Sequence, residues 1–164
     1  GAARSIGPVD ERYLEVIRAA EARGAWVLSV CSGSFVLGES GILDGRRSTT
    51  HWMYADEMQR TYPRTVVDPD VLFVEDGRVI TGAGTAAGID ACLHLVRREH
   101  GAAAASVIAR RMVVPPQRDG GQSQYIQQPE LQHGGTLDGD CCDCAVEFMQ
   151  LKGVSGLVCP AGAV

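Results

Sequence analysis

Lysine is almost missing from this sequence: fourteen of the fifteen basic residues are arginine, and Lys152 is the exception. Nor is positive charge in excess. Acidic residues outnumber basic ones by 20 to 15, leaving a formal net charge of −5 and a pI near 5.3. That balance argues against a broad phosphate-binding surface, which nucleic-acid binders build from clustered Lys and Arg. Long apolar runs are missing too. No stretch approaches the ~20 residues that span a bilayer, and the first residues lack a signal peptide's charged-then-apolar layout. A soluble, cytoplasmic protein with no membrane contact is the expectation.

What is present is the composition of a globular domain: 164 residues, 45% hydrophobic, 21% charged, with a mean hydropathy of −0.01. A single domain of this length buries roughly 70% of the surface its unfolded chain exposes. Disordered, collagenous and small disulfide-stapled classes are excluded. The composition changes late in the chain, however. The last arginine is Arg118, whereas four of the six cysteines (Cys141, Cys142, Cys144 and Cys159) come after it. Residues 127–164 therefore read as an atypical Cys-containing tail, disordered or non-native, better explained by a fusion or a shifted reading frame than by a natural extension. Adjacent Cys141 and Cys142 cannot easily face one metal, and paired doublets with zinc spacing are missing. Neither a metal nor a cofactor is expected.

Along residues 1–126 strands and helices alternate. Asp10 precedes a periodic segment (Tyr13, Leu14, Val16, Ile17, Ala20) that stops at Gly24, the pattern of a capped helix. Trp26 to Val30 is a short apolar run of the buried-strand kind. Cys31-Ser32-Gly33-Ser34 turns it into a helix that ends near Gly38 and Gly41. Arg46 to Thr50 is a connector or short strand, and Trp52 to Arg60 is predicted as a helix. Val71–Glu75 and Arg78–Thr81, joined at Asp76-Gly77, predict a hairpin in which Asp-Gly supplies positive φ. Thr85 to Glu99 is predicted as a helix that Gly101 breaks, and Ala102 to Met112 as another. This order predicts an α/β sandwich.

The strand–turn–helix at Cys31 is the clearest chemical feature. Such an elbow projects its side chain into the crevice at the carboxyl ends of the strands, where open α/β sheets bind ligands. The helix N-terminus behind it favours a thiolate, and small Ser32 and Gly33 let a substrate approach the backbone. The plain alternative stays open, because free cysteine is also a common buried residue.

Ser29-Val30-Cys31-Ser32-Gly33-Ser34-Phe35-Val36-Leu37 resembles the cysteine elbow of the DJ-1/PfpI superfamily, which has the class I glutamine amidotransferase-like, flavodoxin-like fold. Gly41–Arg47, Thr49-Thr50-His51-Trp52, Ile80–Gly84, Ala87–Asp90, Leu93–Arg98 and Gly120-Gly121-Gln122-Ser123-Gln124 narrow the resemblance to the sensor domain of AraC-type transcriptional regulators. It implies part of a three-layer α/β sandwich over residues 1–126. It further implies a small-molecule effector of the amine or nitrogen-containing metabolite kind, a homodimer, and DNA contact only through a helix-turn-helix domain that the sequence after Gln124 does not show. By the same resemblance, the chain begins after the family's first strands, with Gly1 ending one of them.

The ligand-binding residues implied are Cys31, Ser32, Gly33, His51, Trp52 and Gly1. His51 stands where related proteins place a histidine near the cysteine, and it either shares the thiol proton or packs beneath the elbow. The alternative function is a cysteine-dependent hydratase or amide hydrolase, isocyanide hydratase-like, with Cys31 and His51 catalytic and the Ser32 N–H at an oxyanion. A blander third reading is a fragment without activity of its own, its sheet edges exposed. Asp90 and His94, spaced i, i+4, could face a metal but lack a third ligand, so solvated or capping roles are expected. Arg97-Arg98 and Arg110-Arg111 read as exposed helix faces.

Overall fold

The computed structural model describes residues 7–122, all within the first of the two units into which the chain divides, Gly1–Gln128. Gly1 and the tail 127–164 lie outside the described residues, as do Ser123 and Gln124. Helix α1 (Glu11–Ala22) starts where expected: the Asp10 carboxylate caps it by accepting from the Arg12 N–H at 3.0 Å. Strand β1 (Val27–Val30) runs into α2 (Gly33–Ser40), which Gly41 ends with φ +83°. Strand β2 (Arg47–Ser48) follows, then a 3₁₀ turn (Trp52–Tyr54) and α3 (Ala55–Thr61). The segment predicted as one helix is thus split, with His51 capping the 3₁₀ turn before the α-helix begins.

Strand β3 (Val66–Val67) was not expected; it pairs in parallel with β2 in a two-stranded sheet. Strands β4 (Phe73–Asp76) and β5 (Val79–Gly82) form the hairpin, one residue out of the predicted register. Asp76 pairs with Val79, so Gly77 and Arg78 make the turn. Of the two, only Gly77 has positive φ, +66°, which fits a turn needing glycine at its first central position alone. Val71 leaves the predicted strand to form an isolated bridge with Gly121. Helix α4 (Thr85–Met112) is two helices meeting at Gly101, where φ is +85°, as the sequence predicted.

The larger sheet has the order β1-β5-β4, with β1 parallel to β5 and β4 antiparallel to it. Its two faces are covered by different helices. Val27 and Val79 join a core with Phe35, Leu37, Leu43 and Met58 from the α1–α3 side. Val30 and Gly82, of opposite parity in the same strands, meet α4 at Gly88. The result is the helix–sheet–helix layering expected of an α/β sandwich. No helix among the described residues is long and apolar enough to cross a membrane.

Candidate functional site

Cys31 stands between β1 and α2 with φ +55°, one of two non-glycine residues with positive φ among those described. A side chain there costs about 1–2 kcal/mol, so the surroundings must hold it. They do so through its backbone. The Cys31 N–H donates to the Gly82 carbonyl at 2.8 Å. Its carbonyl accepts from Ser34 Oγ at 3.0 Å and Thr50 Oγ1 at 3.1 Å. Ser32 and Gly33 lead into α2, Ser32 as an N-cap whose side chain makes no capping bond. The thiol is free and half-buried.

The His51 ring is bonded to its own turn. Its Nδ1 accepts from the Met53 N–H at 3.3 Å, capping the 3₁₀ turn. A neutral imidazole that accepts at Nδ1 carries its proton on Nε2, so the ring offers a donor there and no second lone pair. Among the described residues no hydrogen bond joins Cys31 Sγ to His51. The two positions are linked through the backbone instead, because Thr50 beside His51 holds the Cys31 carbonyl.

His51 and Trp52 line a cavity of about 310 Å³. The rest of its wall comes from Leu72, Ala83, the first residues of α4 (Gly84 to Ala87), Arg118 and Gln122; Cys31, Ser32 and Gly33 do not contribute. At the head of α4, Gly84 is an N-cap without a side-chain bond, and the first backbone bond closes from Gly88 N–H to Gly84 carbonyl at 2.8 Å. The N–H groups of Thr85, Ala86 and Ala87 thus have no partner within the helix, and they lie on the cavity wall. Trp52 keeps 38% of its surface exposed, as a mouth residue would.

Gln122 ties the cavity to the elbow. Its Nε2 donates to Thr49 Oγ1 at 3.2 Å and to the Thr50 carbonyl at 3.0 Å. Thr49 and Thr50 are fully buried, and Thr49 Oγ1 in turn donates to the Asp68 carbonyl at 2.6 Å. Arg118 is fixed by Asp90, with Nε 3.0 Å from Oδ2. Asp90 therefore has a part-buried ion-pair role, and neither the solvated nor the capping role expected of it. His94 bonds Glu75, and Arg98 bonds the same carboxylate while remaining exposed. Arg97 donates to the Pro116 carbonyl. Among the described residues no three His, Cys, Asp or Glu side chains could share a metal.

The DJ-1/PfpI family profile matches residues 5–98. The chain belongs to the DJ-1/PfpI family. It is 39% identical over 113 residues to an isonitrile hydratase of Pseudomonas putida, covering 68% of this chain and 48% of that protein. It is 37% identical over 124 residues to the HTH-type transcriptional regulator CdhR of Pseudomonas aeruginosa, covering 76% of this chain and 36% of the regulator. The crystal structure of an AraC family transcriptional regulator from Pseudomonas putida shares the fold, with a TM-score of 0.56 and 23% identity over 64% of this chain and 57% of that one. The chain spans about half or less of the length of the curated relatives it matches. The family and fold expectations are borne out; relatives of both kinds, hydratase and regulator, are present.

Residues 118 and 122 and the head of α4 were not picked out as site residues from the sequence. The signal for α4 was there: Gly82-Ala83-Gly84 joins the strand predicted to end at Thr81 to the helix predicted from Thr85, and such a connection puts a helix N-terminus at the carboxyl end of the sheet.

Proposed function

We propose that this domain is an effector-sensing module of an AraC-type regulator and that its effector occupies the cavity between His51 and the head of α4. The observation that carries this reading is the His51 ring, whose Nδ1 is spent on the Met53 N–H. It leaves the ring a donor at Nε2 suited to recognition, and among the described residues no base is hydrogen-bonded to Cys31. The mixed wall, with Trp52 and Leu72 apolar and Gln122 and the α4 N–H groups polar, suits a small molecule held by a few oriented contacts. Dimer contacts and a separate helix-turn-helix domain would complete the regulator. An effector shifts such a protein only through unequal affinity for its two states.

A second reading, a cysteine-dependent hydratase, is favoured by the 39% identity to an isonitrile hydratase and by the strained elbow. The test is to offer the purified chain and its Cys31→Ala variant a library of small metabolites and isonitriles, following binding by thermal shift and turnover by product formation. Sensing predicts binding that survives Cys31→Ala, is lost in Trp52→Ala, and is accompanied by no turnover. Formamide production abolished by Cys31→Ala would replace the sensor reading with the enzyme.

A further inference from the structure

Strand β1 is an edge of the larger sheet, paired on one side only among the described residues. On that side Val27 donates to the Arg78 carbonyl at 2.9 Å and Cys31 to the Gly82 carbonyl at 2.8 Å. Alternate residues of a parallel strand face the neighbour. The N–H and C=O groups of Leu28 and Val30 therefore turn to the open side, where no described residue meets them. Both side chains are only half-buried. Ser29, between them, is 7% exposed, and its Oγ is bonded by no described residue.

The helices over this edge leave apolar side chains uncovered on both faces of the sheet. On one face α1 packs chiefly on β1 and α2 and exposes Tyr13 and Val16, one turn apart. On the other, Val30, Ile89, Cys92, Val96, Ile108 and Met112 line an apolar groove of about 310 Å³. Ile108 and Met112 stay 38% and 47% exposed. An open edge with apolar flanks is a template for another strand.

We propose that the occupant is a second copy of this chain, the two β1 edges pairing antiparallel about a two-fold axis at Ser29. Leu28 then stands opposite the partner's Val30, and Val30 opposite the partner's Leu28, each pair exchanging both of its backbone bonds. The two Ser29 residues form the non-hydrogen-bonded pair between them, with Cα atoms about 4.5 Å apart. At that spacing one hydroxyl donates to the other, and the buried Oγ gains the partner it lacks. A strand of other sequence would satisfy Leu28 and Val30, whereas a copy in this register brings the hydroxyl as well. The same axis lays α1 against α1 on one face and the groove residues Ile108 and Met112 against their counterparts on the other. The interface is large enough. Helix α1, with 12 residues, is about 18 Å long, and helix, sheet and helix stand about 30 Å tall together. That is about 500 Å² of flat face per copy before side-chain relief, close to the lower end of the about 600–1,000 Å² a side that specific dimers bury. The inference stands whether or not the cavity takes an effector.

Sedimentation equilibrium of the 164-residue chain should give a monomer–dimer equilibrium with Kd on the order of 10 µM. Hydrogen exchange at the Leu28 and Val30 amides should slow about tenfold from well below that concentration to well above it. Tyr13→Glu and Ile108→Glu alter exposed positions on opposite faces. Each should weaken the dimer about tenfold by setting like charges across the axis, with the melting temperature of the dilute protein unchanged. Ser29→Ala should weaken it about fivefold; well below Kd the same substitution acts on a monomer whose hydroxyl has no partner. Ser29→Cys, oxidised at high concentration, should yield a cross-linked dimer whose peptide map joins position 29 to position 29. A chain that is monomeric at every concentration overturns the proposal. If its Leu28 and Val30 amides are protected all the same, other residues of the same chain cover the edge. A dimer indifferent to both glutamate variants, a dimer without the 29–29 link, or growth past the dimer would each overturn the two-fold at Ser29.

Discussion

Gly88→Ala tests whether the head of α4 is placed by contact with the sheet. A Cβ at position 88 would stand 2.7 and 2.8 Å from the two γ-carbons of Val30 and 3.3 Å from its Cβ. Carbon atoms pack best at about 3.5–4.0 Å, so helix and strand must part by about 1 Å or Val30 must turn. A β-branched residue in a strand turns poorly, and β1 is held by its pairing with β5. Overpacking of this kind costs about 1–3 kcal/mol, against about 1 kcal/mol regained because alanine is the better helix former. The expected net loss is about 0–2 kcal/mol, or at most roughly 4–8 °C in Tm for a chain of this size. Val30→Ala alone removes the two γ-carbons and should cost about 1–2 kcal/mol. The double variant should lose less than the sum of the two single ones, with a coupling of about 1 kcal/mol or more. Urea unfolding at constant m-value measures all four proteins. Single effects that simply add would refute the close approach and with it the placement of the α4 N–H groups by packing.

Two further outcomes follow from local geometry. The Asp10 carboxylate is held below its usual range, chiefly by the Arg12 side chain and then by the Arg12 N–H it caps. A carboxyl with a lowered folded pKa contributes stability above its unfolded value, near 3.8, and loses it as pH falls through the folded value. Asp10→Ala should therefore melt below the parent at neutral pH, with the gap closing in acid; a gap independent of pH would show the carboxylate's charge to be idle. Ser29 Oγ is buried beneath the elbow without a partner among the described residues. Ser29→Ala should be neutral or stabilising by up to about 1 kcal/mol in the same urea assay, since it removes an unsatisfied hydroxyl, and a clear loss would refute that description.

Much of the fold was legible because periodicity and punctuation agreed. Asp10 and Gly24 bracket α1, Gly101 divides α4, and the run before Cys31 is a strand. The failures are local and have physical causes. Strand β3 is two residues long and is held in part by the Gln59 side chain on the Val67 N–H, which carries no periodic signal. The hairpin register turned on which residue of Asp76-Gly77 takes positive φ, and Asp76 stays in the strand, where its carboxylate accepts from the Arg47 N–H at 2.9 Å. At the site, Cys31 stood out because a nucleophile type at an elbow is a local pattern. Arg118 and Gln122 did not, because their partners Asp90, Thr49 and Thr50 lie 28, 73 and 72 residues away in sequence. Long-range polar pairing leaves almost no trace in a single sequence.

The same geometry explains how one family can hold both hydratases and regulators. Parallel strands that end together, each followed by a helix, aim helix N-termini and a strained backbone at one edge of the sheet whatever the side chains do. Chemistry at that edge needs a nucleophile and a base with a lone pair directed at it. Recognition needs only the donors. Here the elbow keeps its strain through Ser34, Thr50 and Gly82, and none of these bonds involves the cysteine sulfur. The network that holds the elbow therefore does not depend on the thiol. Because Thr50 also meets Gln122, the elbow's backbone is two hydrogen bonds from a side chain that helps wall the cavity. Replacing Thr50 with Val would cut that link and spare the thiol. The variant is expected to lose about 1 kcal/mol in the urea assay with Cys31 alkylation unchanged, and a changed alkylation rate would refute a link made through the backbone alone.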